Sequence, residues 1–126
     1  MNALSVQQPW AWALFHGKPV ENRDWSANEA FGRGKPVRGN ILIHTGKKVD
    51  KDAFVWIETT FGLTIPLNLP TGGIIGRVNL YDCVEEYDSP WFFGKFGFLF
   101  KDQKELSFMP CCGQLGFFEV DYKLPL

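Results

Sequence analysis

Several features that define classes of protein are missing from this sequence of 126 residues. A net charge of −1 leaves no polycationic arm of the kind that holds nucleic acid through charge alone. The longest apolar runs fall far short of the roughly 20 residues that span a bilayer. The N-terminus lacks the basic region, apolar core and small-residue cleavage site of a signal peptide. We therefore expect a cytoplasmic protein that makes no membrane contact.

Cysteine and histidine are also scarce, which argues against a metal site. Cys83, Cys111 and Cys112 are odd in number and lack the paired spacing of zinc ligands. A cluster of these thiols with His44 is the alternative, but the spacing favours buried structural thiols in a reducing compartment. We expect neither a metal nor any other cofactor.

Aromatic residues, glycine and proline are plentiful. Twelve Phe and five Trp can fill a core, while thirteen Gly and eight Pro interrupt the chain about every ten residues. This pattern is typical of short strands and turns, and the length predicts one domain over residues 1–126. Residues 1–51 hold eight Lys/Arg against four Asp/Glu, so a local basic face is compatible with the neutral total.

Strand and helix signals follow one another without the alternation of a doubly wound sheet. The predicted strands cover 2–6, 40–45, 74–84, 96–101, 104–108 and 115–122, and the predicted helices cover 10–16 and 51–61. Asp102 and Gln103 are predicted to form a hairpin turn. The expected fold is α+β: a small mixed or antiparallel β-barrel of about six strands flanked by two main helices.

Residues 16–25 concentrate charge in one short segment. If this segment is extended, Glu21, Arg23 and Trp25 share one face, because side chains alternate along a strand. Lys18 precedes a proline and is therefore biased towards extended or turn geometry. An acid, two bases and an aromatic ring then converge on one patch. The alternative is a solvated edge strand whose surface Glu–Arg pair contributes little.

Other candidates lie at the ends of predicted elements. Trp10 belongs to an apolar helix, where it either fills the core or lines a pocket. His44 closes a buried strand just before Lys47, although a lone histidine is more often structural than catalytic. Arg77 lies on a long strand and faces either a cleft or water. The Gly-rich basic loop at 26–38 is a candidate mobile flap, with a plain surface loop as the alternative.

Four motifs occur in the order expected of a known family. They are SVQQPWA at 5–11, GKPVENR at 17–23, RGNILIH at 38–44 and GIIGRVNLYDC at 73–83. In this order they resemble the ASCH (activating signal cointegrator homology) domain family, within the PUA-like superfold. The family signature is Gly-x-Lys-x-x-Glu-x-Arg, which Lys18, Glu21 and Arg23 match. His16 stands where the family has its glycine.

The resemblance implies a barrel flanked by helices, with the charged signature in a cleft between them. It also implies a ligand: RNA, another single-stranded nucleic acid, or a nucleotide or nucleoside. Such ligands are held by aromatic stacking and by cations on phosphate. The candidate contacts are Gln8, Trp10, Lys18, Glu21, Arg23, Trp25, Arg38, His44, Lys47, Arg77 and Trp91.

Two other functions stay open at this point. Some small relatives are amidohydrolases that deacetylate acetylated cytidine with a threonine three residues after the signature lysine, and others resemble ribonucleases. Glu21 occupies the threonine position, so an enzyme here would use Glu21 and Lys18 for acid–base catalysis on a nucleoside or RNA. A protein-interaction module that uses exposed aromatics is the third option.

Overall fold

Six strands and two helices follow one another along the described part of the chain. They are β1 (Asn2–Ser5), α1 (Trp10–Leu14), β2 (Val20–Arg23), β3 (Gly39–Thr45), α2 (Lys51–Phe61), β4 (Gly73–Val84), β5 (Phe96–Pro110) and β6 (Phe117–Glu119). These elements are seen in a computed structural model, which describes residues 1–29 and 35–122. The predicted flap at 26–38 therefore lies partly outside the described residues.

All six strands join in one sheet, in the order β2-β5-β4-β3-β1-β6. β1 runs parallel to β3, and the other neighbouring pairs are antiparallel. The expected α+β fold, a small mixed barrel flanked by two helices, is thus confirmed. The predicted helix at 51–61 is observed with the same bounds, whereas α1 is two residues shorter than predicted.

The sheet curls because its two longest strands are bulged. The ladder between β4 and β5 shifts register at three places, and each shift bends the pair of strands. The prediction of two strands joined by a turn at Asp102 and Gln103 was wrong. Asp102 has a φ of 54°, which is typical of a turn residue. However, Lys101 before the dipeptide and Lys104 after it both pair with β4, so the strand continues through it. The polar dipeptide is therefore a bulge within one strand.

Buried side chains cover both faces of the curled sheet. On the concave face, residues from five strands meet, among them Leu4, Ile41, Val78, Phe98 and Phe117. The rings of Phe98 on β5 and Phe117 on β6 stack at a centroid distance of 5.9 Å although three strands separate them in the sheet, so the sheet must curl around this cluster. A second cluster joins the helices to the sheet, and a third lies under the N-terminal strand; their members include Ala13, Ile57, Leu99, Leu42 and Phe118.

Gly76 gives a direct test of this packing. A Cβ at this position would lie 2.4 Å from Cζ of Phe15 and 2.8 Å from the backbone oxygen of Lys104. We expect Gly76→Ala to lower the free energy of unfolding by about 1–3 kcal/mol, measured by chemical denaturation. Gly46→Ala is the matched control, because its nearest new contact would be Ser5 Oγ at 3.8 Å. Equal stability of the two variants would contradict the packing described.

Candidate functional site

The carboxylate of Glu21 is the centre of a buried ionic network. Glu21 is only 7% exposed and lies on β2. Its Oε1 accepts a hydrogen bond from Nζ of Lys18 at 2.7 Å, and its Oε2 accepts from Nε and Nη2 of Arg23 at 3.2 and 2.9 Å. The sequence prediction that an acid and two bases converge on one patch agrees with this geometry.

Lys18 points into the protein although His16 replaces the family glycine. Gly17 adopts a φ of 109°, and the backbone N–H of Lys18 returns to the carbonyl of Ala13 at the end of α1. The side chain is therefore directed inward and is 1% exposed. Its Nζ also lies 5.0 Å from the ring centroid of Trp10, which adds a cation–π contact to the ion pair.

Glu21 stays ionised inside the protein. Burial alone would raise the pKa of its carboxyl group, but the charges of Lys18 and Arg23 and the hydrogen bonds from both hold that pKa below its ordinary value of 4.5. A carboxylate with a lowered pKa and two fixed cations is a weak proton acceptor. Its main effect is to fix the positions of its partners.

Arg23 links two strands that are not neighbours in the sheet. Its Nη2 donates to the backbone oxygen of Ser5 at 2.6 Å, so the guanidinium on β2 reaches the end of β1. Among the described residues, no acceptor contacts Nη1 of Arg23, and the side chain is 21% exposed. The guanidinium is thus held on one side and available to a ligand on the other.

The exposed side of Arg23 forms part of a cleft of about 740 Å³. The cleft is bounded by the ends of β1, β2 and β3 and by the loop before β6. Its lining is Ser5, Gln7, Asn22, Arg23, Asp24, Trp25, His44, Gly46, Gly113, Gln114, Leu115 and Gly116. No residue of either helix is among them. The cleft therefore lies at the strand ends, away from the space between barrel and helices.

His44 is held on both sides of its ring at the floor of this cleft. Nε2 lies 2.7 Å from the backbone oxygen of Cys111, so this nitrogen carries a proton, and in the neutral ring Nδ1 accepts from Ser5 Oγ at 3.0 Å. Phe118 packs edge-on against the ring. Both ring nitrogens are thus satisfied, as for a structural histidine that also lines a site.

A second recess adjoins the cleft at His44. It has a volume of about 670 Å³ and shares His44, Gly46 and Gly113 with the first. Its other lining residues are Lys47, Gly72, Pro110, Cys111 and Cys112. Arg23 therefore lines the first recess and Lys47 the second, and the two adjoining recesses are together called the groove.

Trp25 borders the same groove, and its indole ring is fixed by neighbouring rings. It makes edge contacts with Phe98 and Phe117 at centroid distances of 5.2 and 5.4 Å. Arg23, Trp25 and His44 are thus the predicted contacts that the structure brings together in the cleft, and Lys47 adjoins them. Lys18 and Glu21 lie behind Arg23, where a ligand does not reach them without rearrangement.

Three predicted contacts lie on the helical side of the sheet. Gln8 is buried, and its amide bonds to the backbone of Trp12 and Pro70. Trp91 is buried and stacks on Phe61 at a centroid distance of 3.7 Å. Trp10 is half-buried and donates its indole N–H to Asp50 at 3.0 Å. Gln8 and Trp91 have structural partners, whereas Trp10 borders a separate pocket.

Two predicted arginines lie away from the cleft. Arg38 precedes β3 at the end opposite His44, six residues or about 20 Å along the strand. Its guanidinium bonds to Asn28 and faces Asp82 at 3.8 Å. Arg77 lies within β4 and donates to the backbone oxygen of Asp102. Neither arginine lines the cleft.

The prediction missed several residues that shape the cleft, namely Ser5, Gln7, Asn22 and Gln114. Ser5 and Gln7 belong to the motif at 5–11, but nothing in their spacing signals a role. Asn22 lies between Glu21 and Arg23, so the alternation of side chains along a strand predicts that it faces the opposite way. Gln114 belongs to a loop distant in sequence, so no local pattern could have found it.

The described residues contain neither a metal-ligand cluster nor a membrane-spanning helix. They contain no group of three or more His, Cys, Asp or Glu side chains that could hold a metal ion. None of their helices is long and apolar enough to cross a membrane.

A curled mixed sheet of six strands with two flanking helices defines a small PUA-like α+β barrel. The chain belongs to the ASCH domain family, and the match to the family covers residues 4–106. The resemblance noted in the motifs is thereby confirmed. That the whole of residues 1–126 forms a single domain stays a prediction.

Two curated relatives share this region. Activating signal cointegrator 1 of Homo sapiens is 30% identical over 143 residues, which covers 96% of this chain and 22% of that protein. Activating signal cointegrator 1 of Mus musculus is 33% identical over 91 residues, which covers 66% of this chain and 14% of that protein. The chain thus spans about a fifth or less of the length of the relatives it matches.

Acid unfolding tests the role of Glu21. Its lowered pKa means that, as the pH falls below the ordinary value of 4.5, the unfolded chain takes up this proton first. The stability that Glu21 contributes is therefore complete above that value and is lost as the pH falls through the folded-state pKa. We expect Glu21→Gln to cost about 3–5 kcal/mol at neutral pH, because it leaves Lys18 buried without its partner. The cost should shrink as the solution is acidified.

The measurement is the free energy of unfolding by urea at a series of pH values between neutral and strongly acidic. Glu86→Gln is the control, since Glu86 is exposed. We expect the control to follow the unmodified protein at every pH. A Glu21→Gln variant that matches the control would show that the buried network does not stabilise the fold.

Proposed function

We propose that the cleft binds single-stranded nucleic acid, with RNA as the principal ligand. The observation that carries the proposal is the fixed guanidinium of Arg23 on the wall of a polar and aromatic cleft. Arg23 is anchored by Glu21 and by the backbone of Ser5, so little conformational freedom is lost when it meets a ligand.

Phosphate is the group that suits Arg23. A guanidinium presents donors in a planar fork that matches two phosphate oxygens. Nη1 has no acceptor among the described residues, and Lys47 is exposed further along the groove. Two cations along one groove suit successive phosphates of a single strand, whose backbone such grooves follow.

The rest of the lining suits a base. Trp25 offers an aromatic surface for stacking, which tolerates any base. Gln7 and Gln114 carry amide groups that can donate to and accept from a base edge, and the carboxylate of Asp24 can accept from an exocyclic amine. Unstacked bases of single strands expose these edges. Duplex DNA, with its bases paired, would be bound less well.

The family relationship supports the same conclusion. The ASCH resemblance implies RNA or single-stranded nucleic acid as the ligand, and the chain belongs to that family. The relatives are named as signal cointegrators, which is said of those proteins as a whole. The three cysteines are free thiols, which supports the expectation of a reducing, cytoplasmic location.

Recognition fits the geometry better than hydrolysis by Lys18 and Glu21. General acid–base catalysis requires groups within hydrogen-bond reach of the substrate and pKa values near the working pH. Lys18 and Glu21 are 1% and 7% exposed, and the pKa of Glu21 is lowered by its two cationic partners. Glu21 bonds directly to Arg23 and holds it in position, while Lys18 bonds to Glu21.

Quenching of tryptophan fluorescence by short RNA oligomers tests the proposal. We expect saturable quenching whose affinity falls steeply with salt, and a loss of about tenfold or more in Arg23→Gln, because a charged hydrogen-bonded contact is removed. Arg38→Gln is the matched control, since Arg38 is an arginine away from the cleft. The absence of titratable quenching by RNA or DNA oligomers, or equal losses in both variants, would overturn the proposal.

Substitutions of two exposed lysines test the proposal without a change to the buried network. Lys47 lines the groove, whereas Lys104 is exposed on β5 outside it. We expect Lys47→Gln to lower the slope of log affinity against log salt by about 0.7, the contribution of one phosphate contact on a single strand. Lys104→Gln should leave the slope unchanged. Equal slopes in the two variants would place the nucleic acid elsewhere.

A further inference from the structure

Three aromatic rings form a triangle on the helical side of the sheet. The ring centroids of Trp10 and Trp56 are 5.7 Å apart, those of Trp10 and Phe93 are 5.8 Å apart, and those of Trp56 and Phe93 are 5.9 Å apart. The rings are inclined to one another by 47°, 56° and 80°, so they do not stack flat. Trp56 is 38% exposed and Phe93 is 60% exposed. The triangle is therefore open to solvent.

Two carboxylates border the same rings. The pocket has a volume of about 450 Å³ and is lined by Trp10, Asp50, Asp52, Ala53, Trp56, Pro90 and Phe93. Asp50 is hydrogen-bonded to Trp10, and Asp52 is exposed at the start of α2. The lining contains no basic residue. Carboxylates here repel the phosphates of a nucleic acid, so this pocket is electrostatically unlike the cleft.

Each ring is held in place by the fold. The indole N–H of Trp10 donates to Asp50 at 3.0 Å, and Trp56 packs against Phe61 and Trp91. The amide of Asn22 clamps the loop that carries Phe93. Its oxygen accepts from the backbone N–H groups of Phe93 and Gly94, both at 3.0 Å, and its nitrogen donates to the carbonyl of Trp91 at 2.9 Å. The pocket is thus preformed.

We propose that this pocket binds a methylated ammonium group. Aromatic faces attract cations through their quadrupoles, and a carboxylate adds direct charge attraction. A cation seated above the triangle can lie within about 6 Å of all three centroids, the range over which the attraction acts. A methylated ammonium also suits the apolar rings, because its methyl groups bury apolar surface that a bare ammonium lacks.

The positive charge of Lys18 does not prevent a methylated ammonium group from binding in the pocket. Lys18 lies 5.0 Å from the centroid of Trp10, but it is buried and paired with Glu21 at 2.7 Å. The ligand would approach from the solvent side, where Asp50 and Asp52 provide the local charge. The site is separate from the proposed nucleic-acid cleft, because the two pockets share no lining residue.

A pair of small molecules that match in shape and differ in charge tests the proposal. Choline and 3,3-dimethylbutan-1-ol have nearly the same shape, but only choline carries a charge. We expect saturable changes in tryptophan fluorescence with choline and with tetramethylammonium, and none with the neutral alcohol at equal concentration. Binding of both molecules with equal affinity, or of neither, would overturn the proposal.

Substitutions of the lining residues test whether choline binds in this pocket. We expect Trp56→Leu, Phe93→Leu and Asp52→Asn each to weaken choline binding by about two- to fivefold, the size of one exposed cation–π or charge contact. Phe108→Leu is the matched control, since Phe108 is an exposed aromatic residue outside the pocket. RNA affinity should be unchanged in Phe93→Leu. Equal choline affinity in Phe93→Leu and Phe108→Leu would contradict the assignment.

The source of the group is found by comparing free choline with a peptide that contains trimethyllysine. Tighter binding of the peptide than of the same peptide with unmodified lysine, and than of choline, would identify a protein partner. Equal binding of choline and the trimethylated peptide would identify a free small cation. Both results support the methylated ammonium site, whereas equal binding of the two peptides contradicts it.

Discussion

The fold and the proposed cleft depend on one buried carboxylate. Removing Glu21 from water is costly, and that cost is met only because Lys18 and Arg23 both bond to it. Those bonds have geometric consequences: Lys18 is drawn beneath Trp10, and Arg23 is held across the gap between β2 and β1. The same three residues therefore stabilise the curl of the sheet and fix a cation at its rim.

The alternation of charges in one segment predicted this convergence, because it follows from strand geometry at Glu21 and Arg23. The order of elements and the small barrel were also predictable from periodicity and from the family motifs. The strand at β5 was misread, since a bulge and a turn use the same polar residues, such as Asp102. The loop around Gln114 and the clamp made by Asn22 depend on contacts between distant segments, which local patterns do not encode.

The ionic network of Lys18, Glu21 and Arg23 lies between two surfaces of different charge. On the side of Arg23 the groove is polar and carries cations, whereas on the side of Trp10 the lining is aromatic and acidic. Lys18 and Asn22 lie between them, since Lys18 contacts Trp10 and Glu21 while Asn22 lines the cleft and holds the loop of Phe93. The two proposed ligands, a polyanion and a small cation, are matched to these opposite environments.

The most direct test of the central claim is the affinity of folded Glu21→Gln protein for a short single-stranded RNA. The substitution removes a negative charge beside Arg23, so attraction by net charge alone would make binding tighter. If Glu21 instead acts by positioning Arg23, binding must become weaker, and we predict a loss of about tenfold at a temperature where near-UV circular dichroism shows the native fold. Unchanged or tighter binding would contradict the account.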